Sequence, residues 1–471
     1  MINRMLKLFL RFSYGDWVSS AITFFTAPII TALIIPEEFG KAAMFTLAMG
    51  FLMQIVQLGT DQSFVRLFFE KPEEKRNHLF WTCLYYPLLL TGVFIVLILL
   101  FWKPLSILLF ESFDFGAIVL LSACLVLSVA DRFVSLLIRM KQRGSIYSTI
   151  RIIYGVVTVV VIVLYAKYVS RDFKAILCAT TCALFASFFV GIIAERKWFN
   201  AKIRINKADI KPILKFGLPC VPIFVITWLF EGMGKMALRS FSTLEEIGLY
   251  SAAFKLIAPV TMLQVGFCTF WPALAIQTYE ENNRNTFFFE NVFKIVSFLM
   301  LIAAVGFILC KDIVILLFDL SYREAAQILP FLVFVPLMYT LSEITGVGIG
   351  FKKQTYWGII AVSGAVLINF IGNYLFVPIY GAKGAALSTA VAYLVFFLLR
   401  TYLSVRLFSM NFGVFHFLIS LSFLAGMAFI NTFYSPSWYI NFSILLFILA
   451  VNYRLILEIY RWLPIVVNKK V

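Results

Sequence analysis

The sequence predicts an all-α polytopic membrane protein of about fourteen transmembrane helices, built as two parallel six-helix halves with two further helices at the C-terminal end. Three observations carry that prediction. Of the 471 residues, 62% are hydrophobic and 14% charged, against roughly 45–50% and about 25% in soluble domains, which excludes an ordinary soluble enzyme. Apolar runs of the ~20 residues needed to cross a bilayer recur along the chain. Short charged stretches separate them, and motifs from the first half return in the second.

The predicted spans are 14–35, 41–60, 79–102, 116–138, 146–168, 173–194, 213–236, 248–271, 291–310, 327–350, 356–376, 384–402, 414–434 and 438–458. Segments 213–236 and 327–350 carry charged residues and fit least well, so twelve spans is the alternative count. The first residues look like the charged start of a signal peptide. The apolar stretch behind them is long and lacks a small-x-small cleavage site, so a retained first span is expected. Lys and Arg accumulate on the cytoplasmic side of membrane proteins. With the N-terminus inside, 28 of the 40 Lys and Arg fall on inner segments and ten on outer ones, leaving Arg132 and Lys255 well within spans. Both termini are therefore predicted to be cytoplasmic, and most of the +16 formal charge orients the chain. Lys202, Arg204, Lys207 and Lys211 would set topology and touch anionic headgroups. A nucleic-acid role would need a folded basic domain, and none is expected.

Pro36-Glu37-Glu38-Phe39-Gly40 returns 208 residues later as Leu244-Glu245-Glu246-Ile247-Gly248. Met140-Lys141-Gln142 returns as Lys352-Lys353-Gln354, and Tyr168 as Tyr380, both 212 residues on. These offsets mark an internal repeat and give predicted domains 1–205, 206–410 and 411–471. Six spans per half is an even number, so the repeat is parallel about an axis along the membrane normal. Transporters of this build carry substrate between the halves and alternate access by rocking them.

Several chemistries are excluded. The seven cysteines all lie in apolar stretches, read as small hydrophobes and not a disulfide framework. His78 and His416 stand apart from any cysteine cluster, and Cys178 with Cys182 is too little for zinc, so no metal is expected. No Gly-x-x-x-x-Gly-Lys-Ser/Thr motif is present, which argues against ATP hydrolysis, and no stretch is large enough for a catalytic domain. The chain is not expected to be an enzyme or to hold a cofactor.

Leu33-Ile34-Ile35-Pro36-Glu37-Glu38-Phe39-Gly40, Phe216-Gly217-Leu218-Pro219, Glu245-Glu246-Ile247-Gly248-Leu249-Tyr250-Ser251-Ala252-Ala253-Phe254-Lys255 and Tyr380-Gly381-Ala382-Lys383-Gly384-Ala385-Ala386 carry a resemblance over nearly the whole chain. It resembles the polysaccharide-transport branch of the multidrug/oligosaccharidyl-lipid/polysaccharide exporter superfamily, the flippases for lipid-linked O-antigen or capsule repeat units and the related lipid II flippases. The resemblance implies two six-helix bundles in a V around a central cavity, with the last two spans outside. It implies an undecaprenyl-pyrophosphate-linked glycan as substrate, the bacterial cytoplasmic (inner) membrane as location, and a glycan polymerase and glycosyltransferases as working partners. Where family members often carry Asp-Arg near the end of span seven, this chain has Gly234-Lys235. The alternatives are a cation-coupled multidrug exporter of the same superfamily and an integral-membrane glycan polymerase or ligase. The short outer loops argue against the polymerase.

Ionisable groups inside spans are costly and normally face a bundle interior or a wet cavity. Span four places Ser128, Asp131, Arg132, Ser135 and Arg139 on one face, and span seven carries Glu231 and Lys235 in the favourable i, i+4 order. A polyprenyl pyrophosphate is multiply anionic, so Arg132, Lys235 and Lys255, with Arg66 at the inner mouth, are the candidate groups that would offset its desolvation. Glu343, Asp16, Glu231 and Asp61 are the candidates for proton or sodium coupling. Glu343 reads as deep and without a local partner, and Asp61 as lying at a membrane edge. The structural alternative for all of them is interhelical bonding and charge neutralisation. The abundant phenylalanines, 52 in number, read mainly as packing and lipid-facing residues.

Overall fold

The computed structural model describes residues 24–199, 210–281, 286–434 and 438–453, with Val18, Ala21, Ile22, Ile205, Pro436 and Leu457 besides. Among the described residues every regular element is helical. The Asp16 prediction lies outside them.

α1 (Phe24–Leu33) leads into α2 (Pro36–Val56). Pro36 suits the first helical turn because its missing N–H has no intrahelical partner there. Glu37 and Glu38 in that turn complement the helix dipole, and Lys41 pairs with both. α2 stops where Leu58 and Gly59 take left-handed φ values of 49° and 66°, and α3 (Thr60–Leu67) starts anew. The predicted span 41–60 is thus corrected to a helix that ends at Val56 and a second that carries Asp61 in its first turn.

The first repeat continues through α4 (Glu73–Leu100), α5 (Trp102–Phe110), α6 (Phe115–Met140), α7 (Gly144–Tyr168), α8 (Lys174–Ala194) and the short α9 (Arg196–Phe199). Asp114 caps α6 by accepting from the Ala117 N–H at 2.9 Å, and its other oxygen pairs with Lys174 at 2.7 Å. One side chain therefore closes one helix and tethers the start of another.

The second repeat opens with α10 (Ile210–Gly217), a 3-10 turn and α11 (Val221–Phe241). α12 (Leu244–Leu256) and α13 (Ala258–Glu281) form span eight, and α14 (Thr286–Leu309) forms span nine, followed by the short α15 (Lys311–Val314). Span ten is broken into α16 (Ala325–Leu332), α17 (Phe334–Thr345) and α18 (Val347–Phe351). The first break, at Val333, lies between Pro330 and Pro336, which remove backbone donors on either side of it. The predicted spans eleven and twelve are two helices, together labelled α19 (Tyr356–Leu407), that part at Gly381, where φ is 54° and ψ −131° and the backbone is not helical. α20 (Val414–Phe433) and α21 (Trp438–Val451) are joined by reciprocal amide bonds between buried Asn431 and Asn441, at 2.7 and 3.1 Å.

Among the described residues, ten helices are long and apolar enough to cross a membrane, and Phe24–Leu33, Phe417–Phe433 and Trp438–Val451 are shorter apolar helices. Since α19 holds two predicted spans, each of the fourteen meets an apolar helix. The chain forms two compact units, Met1–Lys235 with Thr243–Ser251, and Met236–Ser242 with Ala252–Val471. α10 and most of α11 thus join the first unit, beyond the repeat boundary near 205.

The repeat has a backbone signature. After α6, the N–H groups of Gln142 and Arg143 donate to Arg139 and Ile138 at 2.9 and 3.1 Å, with Gln142 at φ 56°. After α18, the N–H groups of Lys353 and Gln354 donate to Gly350 and Ile349 at 3.0 and 3.1 Å, with Lys353 at φ 57°. Both are left-handed C-terminal caps, and they align the halves at an offset of 211, one residue less than Gln142 against Gln354. A side chain is strained in this conformation, so Lys353→Gly is expected to stabilise the protein by about 0.5–1 kcal/mol. A melting temperature at or below that of the parent would show that the lysine contributes more than its backbone costs.

Candidate functional site

In the first unit the charged centre is built from α3 and α6. Arg132 Nη2 donates to Asp61 Oδ2 at 2.9 Å, and Gln62 Nε2 donates to the same oxygen at 3.0 Å. The two partners differ sharply in exposure: the Asp61 side chain is 2% exposed and that of Arg132 39%. The carboxylate is buried, while the arginine side chain is in part exposed. Asp61 Oδ1 and Arg132 Nε are buried without hydrogen-bond partners, so the pair is held at one point and not as a two-pronged fork. The neighbouring Asp131, also buried, accepts from the Ser187 hydroxyl on α8.

In the second unit Glu343 on α17 is bonded to Arg400 on α19 at 2.6 Å, and Arg400 also donates to Ser342 Oγ at 3.2 Å. The Trp271 indole donates to the Glu343 carbonyl at 3.1 Å. The reading of Glu343 as locally unpartnered is therefore corrected. Its counterion, Arg400, comes from another helix, 57 residues along the chain. At the offset of 211, Glu343 corresponds to Arg132. The two halves thus hold charges of opposite sign at matching positions, each neutralised from a second helix.

The remaining candidates stand apart. Glu231 is exposed and Lys235 half-buried, one turn apart on α11, and Lys255 is half-buried on α12. Arg66 is exposed and pairs at 3.2 Å with Glu70, in the turn just past the end of α3.

A seam within the first unit joins α2 and α3 of the first repeat to α10, α11 and α12 of the second, and it rests on glycine. A Cβ added to Gly40 would lie 1.8 Å from the Leu244 carbonyl oxygen, and one added to Gly248 would lie 1.8 Å from that of Pro36. The two copies of the repeated motif therefore close on each other reciprocally, backbone to backbone. Midway, Trp228 donates to the Leu47 carbonyl at 3.2 Å and packs on Phe51 with centroids 4.8 Å apart. At the other end Gly59 abuts Gly217, where a Cβ would come within 2.2 Å of the carbonyl oxygen, and the Ser63 hydroxyl donates to Ile213 at 2.7 Å. The repeated motif was visible in the sequence; that its two copies meet was not.

A family model described as polysaccharide biosynthesis protein matches residues 12–275. The chain belongs to that family. No curated protein sequence matches it. Among solved structures, the lipid II flippase MurJ in an inward closed conformation is similar with a TM-score of 0.72 at 16% identity, covering 96% of this chain and 99% of MurJ. A multidrug resistance MATE family transporter of the MOP superfamily gives 0.60 at 14%, covering 82% and 94%. The Vibrio cholerae MATE transporter VcmN gives 0.58 at 14%, covering 87% and 99%. At such identities the likeness concerns the fold. The family is that of polysaccharide biosynthesis proteins, and the fold is one shared with a lipid II flippase and with MATE transporters.

Proposed function

We propose that this protein flips an undecaprenyl-pyrophosphate-linked oligosaccharide across the bacterial cytoplasmic membrane, from the inner to the outer face, for assembly of a polysaccharide such as O-antigen or capsule. The observation that carries this reading is Arg132. An arginine whose side chain is 39% exposed on an apolar membrane helix would be costly against lipid and is suited to a wet, anion-accepting surface. Arg can grip phosphate oxygens bidentately, which Lys cannot. Family membership and likeness to a lipid II flippase support a lipid-linked substrate over a free drug. Lys255 and Lys235 would add point charges along the path, and a glycan polymerase and glycosyltransferases would act on the same lipid-linked chain after and before it.

Proteoliposomes carrying a fluorescent lipid-linked oligosaccharide test this. Translocation should fall about tenfold or more in Arg132→Ala, and Lys255→Ala should be slower than Lys255→Arg. Wild-type rates in Arg132→Ala would remove the residue from the mechanism. Coupling to a proton or sodium gradient would run through Glu231, Asp16 or the paired carboxylates Asp61 and Glu343. Transport unaffected by collapsing both gradients would end that part of the proposal.

A further inference from the structure

We propose that Asp61 is a built-in competitor for the anionic headgroup: it holds Arg132 before substrate arrives, yields it to the pyrophosphate, and takes it back to drive release. This rests on the flippase reading above. It follows from the asymmetry of the pair. Asp61 is 2% exposed, sits in the first turn of α3 directly after the left-handed Gly59, and is fixed by Gln62. Its position does not change unless the helix moves. Arg132 carries its charge on a long side chain that is 39% exposed, so it is the mobile member.

The strength of the grip matters as much as its place. Asp61 Oδ1 and Arg132 Nε are both unsatisfied, so the carboxylate uses one of the two parallel bonds that an Arg–carboxylate fork can make. A pyrophosphate that reaches the guanidinium can make two, with more charge, and so displaces the carboxylate. A transporter also has to let go. A carboxylate fixed beside the arginine acts at the high effective concentration of an intramolecular partner and limits how tightly the headgroup is held. The helices packed on α3 also carry His78, Lys211 and Lys215, and the Cys220 thiol interacts electrostatically with Asp61. Among the described residues, Arg132 is the cation bonded to it.

The test is binding of undecaprenyl pyrophosphate to the full-length protein in nanodiscs, with undecaprenol as the uncharged control, alongside translocation in proteoliposomes. Asp61→Asn should bind the pyrophosphate about tenfold more tightly and yet translocate more slowly, because release is impaired; Asp61→Ser should behave alike. Undecaprenol binding should not change. The gain should vanish on the Arg132→Ala background, where there is no guanidinium to compete for. A structural role alone would leave affinity unchanged or weaken it, and misfolding cannot tighten it. If Arg132→Ala weakens binding while Asp61→Asn and Asp61→Ser do not strengthen it, the competitor role is overturned and the flippase reading stands. If Arg132→Ala binds like the parent, both fall.

Discussion

Gly40→Val is expected to abolish lipid translocation and to lower the melting temperature, while Gly92→Ala leaves both unchanged. The difference lies in what each new side chain meets. Nothing lies within 4 Å of a Cβ at Gly92, whereas at Gly40 the obstacle is the Leu244 carbonyl oxygen at 1.8 Å, a backbone atom that no rotamer change can clear. α2 and α12 would have to part, and overpacking of this kind costs typically about 1–3 kcal/mol. The functional loss should exceed the stability loss. In the proposed transport cycle, rocking of two repeats would open and close a path between them, and the reciprocal contact of Gly40 with Leu244 and Gly248 with Pro36 is where the two copies of the repeated motif meet. Bulk there prevents closure whether or not the helices remain folded. Gly248→Val should match it, and Gly40→Ala should fall between. A Gly40→Val protein that melts and transports like the parent would show that this contact is not part of the cycle.

Hydropathy averaged over a span tolerates local error, which is why fourteen apolar segments could be read from the sequence and each meets a helix. Breaks in those helices were harder to see, because their causes are distant. Leu58-Gly59 ends α2 in a left-handed turn lying against Gly217, and nothing near residue 59 announces that neighbour. Gly381 is the easier case: the sequence separates two spans there, and the two helices part at that residue, whose φ of 54° and ψ of −131° are not helical. The charged residues divide in the same way. Arg132 stands out because it interrupts an apolar run, but its partner Asp61 lies 71 residues away. Arg400 was hidden for the opposite reason. It lies near the end of a span, where a basic residue ordinarily marks the cytoplasmic side, so its bond to Glu343 had no local signal.

That bond makes a second strong prediction. Arg400→Gln is expected to destabilise the protein by about 2–3 kcal/mol, because it leaves Glu343 partly buried without its cation. Breaking a fully buried pair costs about 3–5 kcal/mol, and the smaller figure reflects side chains that are each about a fifth exposed. Glu343→Gln should cost less, since Arg400 keeps the Ser342 hydroxyl and can swing its long side chain toward water. The double variant should be more stable than the sum of the two losses allows, with a coupling of about 1–2 kcal/mol, read from melting temperatures of all four proteins. The same cycle run on transport separates neutralisation from ion coupling. If Glu343 serves as counterion to Arg400, transport in Glu343→Gln tracks stability and still responds to an imposed gradient. If it carries the coupling ion, Glu343→Gln loses the gradient response while Arg400→Gln keeps it. Strict additivity of the two stability losses would mean that the 2.6 Å contact contributes nothing to the fold, leaving the matching of Glu343 to Arg132 across the repeat without energetic weight.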